Sequence, residues 1–505
     1  MRDRLAGLGA GPLPAGPADG LTVTTFHGLG LRILREHHAA AGVSPGFQVA
    51  DEAVTLQVAT ELAGSERDGR KLLADPAPEV RLTLRQALTE RDLVDFDGLV
   101  ELAAAVLRDD PAAAAGLRAR WPRVSVDEYQ DIDPAQYELL RLIADPAGLT
   151  AIGDPDQAIY GFRGADVGIF GRFAADFPGA TTVELARNYR SSPGIVTAAM
   201  AAIAPATRVP GRTAVPAREG SRDPAGVVTL DEAANEHAEA AWIAATIDKL
   251  LGGASFHSLD SGRADGHEHG KLGLADIAVL YRTDVQAGPL AQALTRAGLP
   301  FQKRSHDRLA RRPGVADVVR ELRLAAGGDV AGRVTAAVRA IAATRGERDA
   351  TVTDVRAAGE LLLPLARRCG DDLERFLAEI AVGAETDALD PRAEAITLLT
   401  LHGAKGLEFD VVFLAGCERG LLPLRLPGSG PLTPEDAAEE RRLLFVGMTR
   451  ARERLLLSYA ARRTRHNSEE TTGRSSFLAA LAPAPPGLTA PRRPRRPADR
   501  QLRLL

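Results

Sequence analysis

The alternation of apolar and polar positions is clearest between residues 124 and 166. Val124-Ser125-Val126 is a short β-branched run that ends in two carboxylates, Asp127-Glu128. A helix is predicted next. Asp133 suits its cap, Pro134 its first turn, and Tyr137, Leu140, Ile143 and Ala144 fall on one face. Asp145-Pro146 ends it. A second apolar run, Leu149 to Ile152, then breaks into Gly153-Asp154-Pro155-Asp156-Gln157. Strand, helix and strand with polar residues at the strand ends is the pattern of an open α/β sheet, where ligands sit at carboxyl ends of strands.

The same periodicities run along the rest of the chain. Leu21 to Thr25 reads as a strand, followed by an amphipathic helix from Leu29 to His38. Residues 39–118 are helical and charged, with apolar spacing such as Val54, Leu56, Val58, Ala59 and Leu62. A stretch rich in Pro, Gly and Arg, 201–225, reads as a linker. Beyond it come a strand at Val227 to Leu230, a helix from Glu236 to Leu251, a buried strand at Ile277 to Arg282 and a helix from Leu290 to Ala297. Residues 303–393 are Arg/Ala/Leu-rich and helical. Ile396 to Phe413 is strand, glycine turn, strand. Thr433-Pro434-Glu435-Asp436 is a capping-box helix start, and Arg454 to Tyr459 returns as a strand. The Pro/Arg-rich tail, 483–505, reads as disordered.

Composition narrows the class without naming it. A chain of 505 residues has room for roughly three to four domains. Hydrophobic and charged contents of 45% and 26% are ordinary for a soluble globular protein. With a net charge of −5 and a pI near 6.1, any nucleic-acid site must be a local basic groove. Two cysteines, Cys369 and Cys417, suggest neither a disulfide framework nor a metal cluster. His257, His267 and His269 fall in a Gly/Ser/Asp-rich stretch that reads as solvated loop. No apolar run has the length of a membrane span, and the first twenty residues lack a signal peptide's apolar core, so a cytoplasmic protein is expected.

Carboxylates at the end of a buried strand fit a nucleotide hydrolase. Asp127 would hold Mg²⁺ on the phosphates and Glu128 would orient or deprotonate the attacking water. A bare Asp-Glu pair is more often a solvated loop. Here Asp-Glu-Tyr-Gln-Asp leads on to Gly-Asp-Pro-Asp-Gln-Ala-Ile-Tyr-Gly-Phe-Arg-Gly-Ala, and the longer string reverses that reading.

DEYQD followed by GDPDQAIYGFRGA resembles motifs II and III of the UvrD/Rep/PcrA-type helicases of superfamily 1. Thr25-Phe26-His27-Gly28, Asn188-Tyr189-Arg190-Ser191, Thr400 to Glu408 (TLHGAKGLE) and Thr449-Arg450-Ala451 resemble further motifs of that family in the same order. The resemblance covers Leu21 to about Tyr459. It implies an α/β protein of two RecA-like, P-loop NTPase-type lobes with helical insert subdomains. Lobe 1A would comprise 1–38 and 119–200, insert 1B 39–118, lobe 2A 226–302 and 394–482, and a short insert 2B 303–393.

The resemblance also implies roles. Gln157, Arg190 and Arg450 would act at the γ-phosphate with Asp127 and Glu128. Tyr189 would stack on adenine, Lys405 would face the phosphates and Glu408 the ribose, and Arg163 would link nucleotide to DNA. Thr25, His27, Tyr160, Phe162, Thr400 and His402 would touch DNA. The implied activity is ATP- and Mg²⁺-dependent 3′–5′ movement on single-stranded DNA, in repair or recombination. One element of the family pattern does not occur. None of the five lysines, Lys71, Lys249, Lys271, Lys303 and Lys405, stands in a G-x-x-x-x-G-K-[ST] loop. The opening MRDRL resembles the end of the helix that follows that loop. The expectation is thus an incomplete first lobe whose P-loop lies upstream or on another chain. The alternative is a catalytically silent remnant that only holds single-stranded DNA.

Overall fold

A computed structural model of the chain describes residues 22–74, 77–161, 164–218, 226–252, 272–303, 314–324, 328–345, 350–373, 376–377, 380, 394–425, 430–465, 468–479 and 481. The chain divides into two compact units. One holds Met1–Asp154, Tyr160–Ala180 and Ser305–Asp390; the other holds Pro155–Ile159, Thr181–Arg304 and Pro391–Leu505.

The first unit opens with a departure from the sequence reading. Residues 22–25 are irregular, and helix α1 spans Phe26–Glu36. The cause is local, since the Thr25 hydroxyl accepts a hydrogen bond from the Gly28 amide and caps the helix three residues earlier than its apolar stripe begins. Strand β1 (Gln48–Val49) pairs in parallel with β2 (Leu93–Val94). Between them lie helices α2 (Glu52–Ala63), α3 (Glu66–Ala74) and α4 (Pro78–Thr89), whose Val58, Ala59, Leu84 and Leu88 form a small separate core. Helices α5 (Phe96–Asp109), α6 (Pro111–Arg120) and α7 (Pro134–Ile143) join α1 around Ile33, Leu34, Leu99, Leu107 and Leu139. By core, then, 96–120 belongs with α1 rather than with α2–α4. Gly30 on α1 permits this packing, because a Cβ there would stand 2.2 Å from the Leu99 carbonyl oxygen.

Strands β3 (Val124–Val126) and β4 (Leu149–Ala151) pair in parallel, in register Val124↔Leu149 to Val126↔Ala151. Asp133 caps α7 through the Gln136 amide, as its position predicted. Farther along, helices α11 (Val315–Leu324), α12 (Val330–Arg345) and α13 (Ala350–Cys369) cover the second helical stretch and share a core of Val318, Val334, Val355, Leu362 and Phe376.

The second unit is built on a six-stranded, all-parallel sheet. Its strands are β7 (Val228–Ala233), β8 (Ile277–Tyr281), β9 (Phe301–Lys303), β10 (Ile396–Thr400), β11 (Phe409–Leu414) and β12 (Ala451–Ala460), in spatial order β7-β12-β11-β8-β10-β9. β8 and β10 are buried at every position, as sheets covered on both faces require. Two further short strands, β5 (Arg187–Asn188) and β6 (Val215–Pro216), pair in parallel outside this sheet. The sheet packs with α8 (Pro193–Ile203), α9 (Glu236–Leu250), α10 (Ala287–Arg296) and α14 (Pro434–Met448). Residues 181–200, assigned by resemblance to lobe 1A, thus sit in the second unit. The Ser191 hydroxyl donates to the Ala451 carbonyl and the Ser192 amide to that of Arg452.

Candidate functional site

The acidic pair is delivered by the β3 backbone. The Ile152 amide donates to the Val126 carbonyl and the Tyr129 amide to that of Ile152, so the ladder continues past both strand ends and leaves Asp127 and Glu128 in solvent. Glu128 takes a left-handed backbone, φ 54°, uncommon for a residue with a side chain. The Asp127 carboxylate accepts from the Glu128 amide at 3.0 Å. Gln130, buried at 1% exposure, fixes the other side chain: its amide donates to Glu128 Oε2 at 2.5 Å while its Oε1 accepts from the Asp154 amide at 2.9 Å. Gly153 makes room for that bridge, since a Cβ would lie 2.4 Å from Gln130 Oε1. The sequence reading missed Gln130; its signal was a Gln two residues after the acidic pair.

Among the described residues, no group of three or more His, Cys, Asp or Glu is placed to hold a metal ion alone. Mg²⁺ keeps waters and phosphate oxygens and takes one or two carboxylates, so the solvent-facing Asp127 fits as a single protein ligand.

In the second unit, a second cluster forms where β11 and β12 begin. The Phe409 amide donates to the Arg450 carbonyl, which sets Glu408 beside Arg450 and Arg452. Glu408 is shared between two arginines, Arg190 Nε at 2.6 Å and Arg452 Nη2 at 2.5 Å. Burial pushes the Glu408 carboxyl up, but the hydrogen bonds from Arg452 and Arg190 outweigh it and hold the group below the usual carboxylate range. Arg452 also reaches Asp410 at 3.3 Å. With Arg187, Asn188, Tyr189, Arg218 and Glu453, these groups line an open cavity of about 760 Å³. The Tyr189 ring is 69% exposed, free to meet a planar ligand.

Arg450 is 2% exposed. Its guanidinium donates to the carbonyls of Val446 and Leu407 and to Gln157 Oε1 at 3.3 Å. Lys405 Nζ donates to the Gln157 carbonyl at 2.7 Å. Gln157, Lys405 and Arg450 are thus brought together, and Arg190, Glu408 and Tyr189 adjoin one cavity. Arg452, which organises that cavity, was not singled out from the sequence.

The residues assigned to DNA fall in both units. Thr25 is exposed and caps α1. His27 stacks on Phe96, ring centroids 3.7 Å apart. Tyr160 is half-buried. At the carboxyl end of β10, Thr400 is buried and accepts from the Gly403 amide, while His402 is half-buried in the turn. Phe162, Arg163, His257, His267, His269 and the 483–505 tail lie outside the described residues.

A family model described as UvrD/REP helicase N-terminal domain matches residues 65–178, and one described as UvrD-like helicase C-terminal domain matches 183–329 and 344–462. The chain is a helicase by family, and it belongs to the UvrD/REP group. It is similar to ATP-dependent DNA helicase UvrD2 of Mycobacterium tuberculosis, with 32% identity over 96% of this chain and 73% of the relative. It is also similar to DNA helicase II of Escherichia coli (29%, over 95% of this chain and 79% of the relative) and to ATP-dependent DNA helicase PcrA of Leuconostoc citreum (27%, over 96% and 77%). Among the described residues, no helix is long and apolar enough to cross a membrane.

Proposed function

We propose that the protein serves in ATP-dependent 3′–5′ helicase or translocase action on single-stranded DNA in the cytoplasm, in repair or recombination, together with a P-loop that residues 1–505 do not contain. The observation that carries this is in the second unit, where Lys405 and Arg450 both hold Gln157 and where Glu408 is shared by Arg190 and Arg452. Mg²⁺-bound ATP supplies the transferable phosphoryl group and the electrostatic handle. Asp127 would hold the metal, and Glu128, oriented by Gln130, would accept the proton of the attacking water. Arg190 and Arg450 meet charge that develops on the γ-phosphate, where preorganised donors contribute most. Tyr189 stacks on the base and Glu408 takes the ribose hydroxyl.

Thr25, His27, Tyr160, Phe162, Thr400 and His402 contact DNA, and Arg163 connects the two ligands. Stacking on aromatics contributes about 1–3 kcal/mol per base and tolerates any sequence. Fluorescence anisotropy at fixed salt tests this reading. Single strands are expected to bind more tightly than duplex, and Phe162→Ala to weaken that binding by roughly 1–3 kcal/mol. Equal affinity for both DNA forms, or no effect of the substitution, overturns it.

A further inference from the structure

Asp156 is the most deeply placed carboxylate beside the Gln157–Arg450 contact, and no step above uses it. Its side chain is fully buried, 0% exposed. It accepts from the Thr207 hydroxyl at 2.6 Å, from the Arg208 amide at 2.6 Å and from Arg212 Nη1 at 3.1 Å. The Arg212 guanidinium also lies over the Phe445 ring, 5.2 Å from its centroid, which ties the same anchor to α14. A carboxylate out of water must be matched by charge and hydrogen bonds, and removing its partners costs far more than a surface pair would. Asp156 therefore holds its backbone wherever Thr207–Arg212 is.

The residues that follow are held from other directions. Lys405 takes the Gln157 carbonyl, Arg450 the Gln157 side chain and the buried Arg442 the Ala158 carbonyl at 3.1 Å. Three consecutive residues are thus each fixed by a separate contact, and only Asp156 uses its own charge to do it. A side-chain contact at 3.3 Å, such as that of Gln157 with Arg450, is at the weak end of hydrogen-bond geometry and depends on where the backbone is set.

We infer that Asp156 is a positioning residue, which pins the Pro155–Ile159 turn to the Thr207–Arg212 segment and so sets Gln157 against Arg450. The inference rests on the reading of Gln157 and Arg450 as γ-phosphate groups only for its functional consequence. The anchor itself is independent of that reading.

The test uses the 505-residue chain with Asp156→Ala, Asp156→Asn, Thr207→Val and Gln157→Ala. Hydrogen–deuterium exchange without nucleotide reports the amides of Asp156 to Ile159. Exchange there is expected to quicken at least tenfold in Asp156→Ala. It should quicken a few-fold in Thr207→Val, which removes one bond without stranding a charge, and to a degree short of Asp156→Ala in Asp156→Asn, which keeps one accepting oxygen but sets an NH2 donor against the Arg208 amide or against Arg212. Affinities for fluorescent ADP and for a non-hydrolysable ATP analogue report the consequence. Asp156→Ala should lose the preference for triphosphate to the level of Gln157→Ala, with ADP affinity unchanged, and Asp156→Asn should keep part of it. Unchanged exchange in both Asp156→Ala and Thr207→Val overturns the inference. Should Asp156→Ala fail to fold, Thr207→Val decides alone. A wild-type chain with no triphosphate preference overturns the γ-phosphate reading instead, and the exchange result still decides the anchor.

Discussion

Glu408 shows how a single residue carries two demands. Its carboxylate is shared by Arg190 and Arg452, and its pKa is held down by them against the effect of burial. A depressed folded-state pKa contributes stability above the unfolded value of about 4.5, and that stability is lost as pH falls through the lower folded value. The acid limb of the stability curve below about pH 4.5 is therefore expected to flatten in Glu408→Gln, read as melting temperature against pH. The effect is muted because the side chain is 28% exposed and solvent screens the pair. An unchanged acid limb would show that the two arginines find other partners. The Glu408 position was legible from its motif. Its pairing was not, because Arg190 lies 218 residues away and local sequence carries no information about such a contact.

At the scale of elements, caps and strands were the most readable features. The Thr433 capping box forms as its sequence predicted, with the hydroxyl on the Asp436 amide and the Asp436 carboxylate on the Thr433 amide. The mostly apolar runs at Ile277 and Ile396 became inner strands buried at every position, as a strand covered on both faces must be, with Thr397 and Thr400 the polar residues among them. The start of α1 was misread because an apolar stripe marks the buried face of a helix and says nothing about its cap. The crossing of α1 and α5 was also invisible in the sequence, yet it hangs on Gly30. Gly30→Ala is expected to force the helices apart and to destabilise the protein by about 1–3 kcal/mol, measured by denaturant unfolding. A midpoint equal to wild type would show that α1 shifts without cost.

At the scale of the whole molecule, the question is turnover. Residues 1–505 contain no G-x-x-x-x-G-K-[ST] loop, the element whose backbone amides, lysine and hydroxyl grip phosphates and metal. This chain alone is expected to release phosphate from ATP, with single-stranded DNA present, orders of magnitude more slowly than an enzyme with that loop, because several kcal/mol of charge stabilisation are missing. Robust DNA-stimulated release that Glu128→Gln abolishes would overturn this. The sequence by itself determined the family, the order of its motifs and most of the strands and helices, because strand-end carboxylates, glycine turns and helix caps are local and leave local patterns. Only the tertiary structure decided that 181–200 packs with the second unit, that Arg452 and Arg190 divide one carboxylate, and that buried Asp156 reaches Thr207 and Arg212. The last of these follows from burial. A charge removed from water takes whichever partner the fold brings within reach, and sequence separation has no part in that choice.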